Sequence, residues 1–439
     1  MFFYFQQSKK KMTNNNNVIE RDNTTEFIKT ASKSNKSDCY NHFNMKRFWI
    51  LFGVTAGIFV ILFILACTID FDISWGLANN HFKQSWTYGS DQIINYYSNN
   101  AWDNLIECIG DAPAYLLLPF AFWLISFSFF KKVNNQQLKI YRQIAQVIIP
   151  LFLMMCSVWF ITQYNWKADG LYELLKITNA QISDSLLLLC SILISLVINS
   201  AFALIIWKFA ENVQMSLIKI GFIFIILFII CDTTMWALKT QCGINRERFR
   251  ALMTDPRSWN LVEVGNSTLD KSLVMNNFHP WWSATDASYK TGWAEGSGTA
   301  AVFINARQGG SLGNAFSSFP SWHTTDVAYI MTLCFLPCCI RKTDDQKWKG
   351  YFIWALMLII VLIVMFSRVS AGAHYLSDTV FGLLITLVPI VILGTIFCKI
   401  DKVRKWFDTS DINGHWYQFT FLPVLLPLLS LLLMLLLTW

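Results

Sequence analysis

Residues 351–378 read YFIWALMLIIVLIVMFSRVSAGAHYLSD, and this stretch decides the fold. Its first part is apolar for nearly the length that crosses a bilayer, which takes about 20 residues. It breaks sharply at Ser367 and Arg368 into small residues, His374 and Asp378, and an apolar run then resumes to residue 398. Two such runs hinged on a short polar turn predict a pair of membrane helices joined at the bilayer edge, because in lipid a helix satisfies its own backbone.

The same pattern recurs along the chain. Nine stretches qualify as spans: 48–68, 113–130, 143–163, 184–208, 217–238, 323–340, 351–368, 374–398 and 418–438. The composition agrees, with 54% hydrophobic and only 14% charged residues in 439, against about 25% charged in an ordinary soluble domain. The mean hydropathy is +0.40. The 36 Phe suit lipid-facing surfaces and the 19 Trp suit the bilayer interfaces. The expected fold class is therefore all-α, a polytopic transmembrane helix bundle of about nine spans.

The net charge of +7 does not point to nucleic acid, because the basic residues sit in short loops rather than in a stripe interleaved with aromatics. Lys131, Lys132, Lys139 and Arg142 follow the second span. Arg341, Lys342, Lys347 and Lys349 follow the sixth, and Lys399, Lys402, Arg404 and Lys405 follow the eighth. With nine spans these loops and the basic tail share one side, which sets a cytoplasmic N-terminus by the positive-inside rule. Two long segments, 69–112 and 239–322, then face outward. The second contains Trp281, Trp282 and Trp293, which suit an interface.

Residues 1–47 are polar and are expected to form a disordered cytoplasmic tail, lacking apolar surface to offset ordering entropy. They are not a secretory signal, because the first apolar stretch starts only near Phe48 and is long enough to span. The remaining divisions are N-terminal transmembrane helices (48–238), an extracytoplasmic loop (239–322), transmembrane helices that carry the chemistry (323–398), and a cytoplasmic loop with the last span (399–439). The 11 cysteines show no metal-ligand spacing. Most lie in apolar runs, where cysteine packs as a small hydrophobe.

Three polar clusters fall at outward-facing span ends, where ionisable groups are costly and tend to be functional. The strongest runs from Ser367 to Asp378. His374 and Asp378 are four apart and share a helix face, where a carboxylate fixes the imidazole tautomer. Arg368 offers a planar fork of donors to a phosphate. The second cluster is Phe319-Pro320-Ser321-Trp322-His323 at the start of the sixth span, and the third runs from Lys239 to Arg246 at the end of the fifth. Each also has a plainer reading: a snorkelling arginine with a His–Asp cap, a helix cap with interfacial Trp and His, and a solvated helix end.

Taken together and in this order, the clusters resemble the type 2 phosphatidic acid phosphatase superfamily, which also includes vanadium haloperoxidases and bacterial acid phosphatases. The family pattern is K-x6-R-P, then P-S-G-H, then S-R-x5-H-x3-D. Ser367, Arg368, His374 and Asp378 match the third part in full. Trp322 stands at the usual Gly position of the second part. Glu247 stands at the usual Pro position of the first, between Arg246 and Arg248, so both arginines are candidate phosphate ligands and spacing favours Arg246.

The resemblance implies a six-helix core and a phosphohistidine mechanism without metal or other cofactor. Lys239, Arg246 and Arg368 would hold the phosphate, with Ser321 and the Trp322 backbone N–H adding hydrogen bonds. His374, oriented by Asp378, would attack phosphorus, and His323 would protonate the leaving oxygen. Because these residues fall at headgroup depth, the expected substrate is a lipid phosphate reached from the bilayer, with the site on the extracytoplasmic face of the cell membrane. Phosphatidate, phosphatidylglycerophosphate, a sphingoid phosphate and a polyprenyl diphosphate all suit the constellation. A lipid phosphotransferase would use the same residues. A non-catalytic lipid-binding or transport protein is the reading from another class, and the presence of both histidines argues against it.

Overall fold

Long runs of Leu, Ile, Phe and Val leave a backbone only its own N–H and C=O groups as partners, and a helix pairs them within one segment. The computed structural model describes residues 45–85, 101–130, 184–208, 211–241, 246, 248–249, 252, 271–276, 278–283, 318–335 and 347–399, and among these there is no strand. The long helices are α1 (Met45–Ser85), α2 (Ala101–Phe130), α3 (Asp184–Trp207) and α4 (Glu211–Trp236), which ends in a π-helical turn, Ala237–Gln241. A short helix α5 (Lys271–Asn276) and a 3-10 turn (Trp281–Ser283) follow. Then come α6 (Trp322–Ala328), continued by a 3-10 segment (Tyr329–Phe335), α7 (Lys347–Ser370) and α8 (Leu376–Lys399).

Four helices among the described residues are long and apolar enough to cross a membrane: Trp49–Ala78, Ile220–Lys239, Lys349–Ser370 and Leu376–Ile396. The expected spans 143–163 and 418–438 lie outside the described residues, as do most of the basic loop residues and all but the last three residues of the polar tail. The sixth expected span, 323–340, is described as far as Phe335.

The outward segment expected over 69–112 is helical at 69–85 and again at 101–112. Apolar residues continue on the inner face of α1 past the predicted end, with Phe71 and Ala78 buried, and Asp70 finds buried partners. A hydropathy scan stops at the acidic residues, whereas the helix continues because those residues are paired.

The exposure pattern is that of a bundle in an apolar medium. On α1 the exposed residues include Ile50, Val54, Ile58, Ile61 and Leu65, while Phe52, Thr55, Phe59, Ala66 and Asp70 face inward. On α7 the exposed stripe is Phe352, Leu356, Ile359, Ile363 and Phe366. α4 is buried almost all round from Ile220 to Phe228 and forms the centre. α2 packs along α4, α1 along α8, and α6 sits among α2, α7 and α8.

Lipid tails are as apolar as leucine, so close packing and buried polar contacts must hold such helices together, at about 0.6 kcal/mol for a typical interhelical hydrogen bond. Trp123 Nε1 donates to Asn199 Oδ1 at 3.0 Å, tying α2 to α3. Between α6 and α8, Thr325 Oγ1 donates to the Gly382 carbonyl at 3.0 Å and Thr386 Oγ1 to the Thr325 carbonyl at 3.2 Å. Gly382 permits this approach, since a Cβ there would lie 2.6 Å from the Ser321 carbonyl oxygen. The start of α6 is thereby seated against the first turns of α8.

Candidate active site

The turn between α7 and α8 is built by its sequence. Gly372 takes φ 66°, a left-handed conformation that a side chain disfavours. The carbonyl of Arg368 then receives the N–H groups of Ala373 and His374, both at 3.1 Å. On the α8 side, Asp378 Oδ2 accepts the Tyr375 N–H at 2.9 Å, the reach-back of an acidic third residue to the helix start. His374 is thus fixed between two helix ends and is buried.

His374 Nδ1 lies 2.6 Å from the main-chain carbonyl oxygen of Ser318. A carbonyl only accepts, so Nδ1 carries the proton and donates it, leaving the Nε2 lone pair for chemistry. Asp378 Oδ2 is 3.8 Å from the same nitrogen. It acts chiefly through Ser318, whose Oγ donates to Asp378 Oδ2. Sequence reading expected Asp378 to orient the imidazole directly. The structure inserts Ser318 between them.

Burial holds the His374 pKa well below the ordinary histidine value, and the positive charges of Arg248, Lys239 and Arg368 push the same way, against the Ser318 carbonyl. A neutral imidazole follows. When the folded form resists a proton that the unfolded form accepts, stability falls as pH drops below the ordinary histidine range. Thermal unfolding across mildly acidic pH should therefore show stability rising with pH, with a shallower slope in His374→Asn. Equal slopes would mean that other groups carry the effect.

The two arginines at the end of the third cluster, Arg246 and Arg248, have different surroundings. Arg246 is clasped: Nη1 reaches Asp378 Oδ1 and Ser377 Oγ, both at 3.0 Å, and Nη2 reaches Asp70 Oδ2 at 3.1 Å. Its guanidinium lies 3.5 Å from the centroid of the Tyr375 ring. Asp70 Oδ1 also accepts the Ser377 N–H at 2.8 Å. Arg248 is likewise buried, and with Lys239 and Arg368 it stands close enough to His374 to act on it electrostatically.

Ser321 N–H donates to the Asp378 carbonyl at 3.0 Å, and Ser321 Oγ accepts from Thr324 Oγ1 at 3.1 Å. Trp322, where the family has Gly, is half-buried at the first position of α6. The next residue, His323, places its ring 6.4 Å from that of His374, centroid to centroid. Ser321, His323, Lys239, Arg246, Arg368, His374 and Asp378 therefore gather at one end of the bundle.

Sequence reading missed a set of carboxylates. Asp103, Glu107 and Asp111 recur every four residues and so share one face of α2. Asp103 Oδ1 accepts from Ser367 Oγ at 3.2 Å and Ser370 Oγ at 3.3 Å. Glu107 Oε1 meets Arg368 Nη2 at 2.6 Å. His323 Nε2 lies 3.3 Å from Glu107 Oε1 and 3.4 Å from Asp111 Oδ1. The four-residue spacing just ahead of an apolar run was the available signal. Asp70 and Ser318 carried none beyond an acidic residue in an apolar context and a serine before Phe319-Pro320.

Residues 273–399 match the family model of the PAP2 superfamily. The match supports the resemblance carried by the sequence motifs. The PAP2 match takes in Ser321, Trp322, His323, Arg368, His374 and Asp378, while Lys239 and Arg246 precede it. No curated protein and no solved structure matches the chain. The PAP2 superfamily consists generally of phosphatases, which places this site among those acting on phosphate esters. Among the described residues, no cluster of three or more His, Cys, Asp and Glu side chains is arranged to hold a metal ion. Lys239, Arg248 and Arg368 all act on His374 electrostatically.

Proposed function

We propose that the chain is a membrane lipid phosphatase that hydrolyses a phosphomonoester through a phosphohistidine intermediate. The observation that carries this reading is a buried histidine held as its Nδ1–H tautomer by the Ser318 carbonyl, with three cations around it and a second histidine 6.4 Å away. Lys239, Arg248 and Arg368 would bind the phosphate oxygens, while Arg246 braces Asp378. Ser321 and the Trp322 backbone N–H would add hydrogen bonds. His374 Nε2 attacks phosphorus, the phosphorus–oxygen bond to the lipid alcohol breaks, and His323 supplies the alcohol's proton. Water then attacks the phosphohistidine, His323 takes the water proton, and inorganic phosphate leaves. Pre-aimed cations and fixed geometry would supply most of the rate.

In the same reading, nine spans enclose a six-helix core, the N-terminus is cytoplasmic, and the site opens at the extracytoplasmic face of the cell membrane. The Lys and Arg distribution supports this topology. The substrate is a phosphatidate-like or phosphatidylglycerophosphate-like lipid.

The test is phosphate release in detergent, with EDTA present, from phosphatidate, phosphatidylglycerophosphate, a sphingoid phosphate and a polyprenyl diphosphate. Wild type should release phosphate, and His374→Ala should lose at least about 10³-fold in kcat, as when one member of a concerted catalytic unit is removed. Equal release by both proteins would sink the role of His374. Release only when a second alcohol is supplied would favour a lipid phosphotransferase, and preference for the diphosphate would favour a polyprenyl diphosphate phosphatase.

A further inference from the structure

The carboxylates of α2 touch the site yet have no part in the chemistry described so far. Glu107 is only 3% exposed, and a single oxygen, Oε1, meets both Arg368 Nη2 and His323 Nε2. Asp111, one turn on and 27% exposed, meets the same His323 nitrogen. The backbone brings α2 unusually near: a Cβ on Gly110 would lie 3.2 Å from His323 Cβ and 3.2 Å from Val364 Cγ1. A bare Cα at that point lets the helix close on the imidazole, with an acidic residue one position away and another three away.

We propose that Glu107 is a positioning residue that locks His323 and Arg368 into one geometry, with Asp111 as second anchor on the histidine. This rests on the phosphatase reading. Two carboxylates at 3.3 and 3.4 Å from Nε2 favour a proton on that nitrogen through their negative charge. Nδ1 is then the atom that exchanges a proton with substrate. In the first step the Nδ1 proton passes to the leaving oxygen as its bond to phosphorus breaks. In the second, Nδ1 takes a proton from the attacking water. The shared Oε1 couples this shuttle to the cation that grips the phosphate.

A leaving-group series separates positioning from mere structural support. A poor leaving group needs the proton from His323, whereas a good one departs without it. The probes are dodecyl phosphate and a nitrophenyl phosphate carrying the same dodecyl chain, tested on the full chain in detergent. Glu107→Gln should lower kcat on the alkyl ester by about 10²-fold, the lower range for a lost general acid, and on the nitrophenyl ester by much less. Asp111→Asn should show the same bias more weakly, and it decides the matter if Glu107→Gln fails to fold. Glu107→Asp should recover part of the alkyl-ester rate.

His374→Ala is the reference, losing both esters alike because it removes the nucleophile. If wild type cleaves both esters and His374→Ala neither, while both carboxylate variants lower the two by one common factor or leave both unchanged, the positioning role is overturned and the phosphatase reading stands. If wild type releases no phosphate from either ester, the phosphatase reading falls and this role with it.

Discussion

Arg368→Ala should lower kcat on a lipid phosphate by about 10²–10³-fold, the range for losing one pre-aimed electrostatic donor. It should also cost about 3–5 kcal/mol of stability, as when a buried ion pair is broken from one side. The two losses have separate origins. Activity falls because one of the cations around His374 is gone. Stability falls because Glu107 keeps its charge in a buried position after losing a partner at 2.6 Å. Arg368→Lys divides them: it keeps the charge but not the planar fork, so it should recover more stability than activity. Phosphate release and thermal unfolding of the three proteins in one detergent provide the check. A fully active Arg368→Ala would remove this residue from the phosphate site.

Arg368 is also the residue where sequence and structure meet most closely. Its place beside Ser367, with His374 and Asp378 at fixed offsets, was legible because those residues are local: one turn between two helices brings them together. The helix pair itself was legible from hydropathy. What could not be read is what approaches that turn from distant parts of the chain. Glu107 is 261 residues before Arg368 in the sequence, and no local pattern announces which helix face will meet which turn. Asp70 was hidden for a different reason. An acidic residue at the edge of an apolar run looks like the end of a span, and only its partners Arg246 and Ser377 show that the helix goes on. The partners of Arg246, which spacing favours as the phosphate ligand, likewise come from distant segments and were not legible: Asp70, Ser377 and Asp378.

Asp70→Ala is the second large effect expected, a loss of about 3–5 kcal/mol by the same one-sided breaking of a buried pair. It would leave Arg246 with Asp378 as its carboxylate partner and deprive the Ser377 N–H at the start of α8 of its acceptor. Asp70→Asn should lose less, because an amide oxygen still accepts from Ser377. Replacing Asp70 and Arg246 together with leucine should not recover the loss, because buried Asp378 would then lose its own arginine partner at 3.0 Å. Thermal unfolding of the four proteins would show the pattern. A change of under about 1 kcal/mol for Asp70→Ala would mean that the clasp carries little of the fold's stability.

The contact that sets the His374 tautomer comes from the backbone of Ser318. Every amino acid at position 318 would present a carbonyl oxygen there, provided the chain keeps its path. Alanine scanning would therefore pass over the group nearest the His374 Nδ1 and record only the weaker effect of losing the Ser318 hydroxyl from Asp378. The same circumstance shelters the site from mutational drift: side-chain changes at 318 that leave the backbone path intact can detach Asp378 yet keep the acceptor on the imidazole.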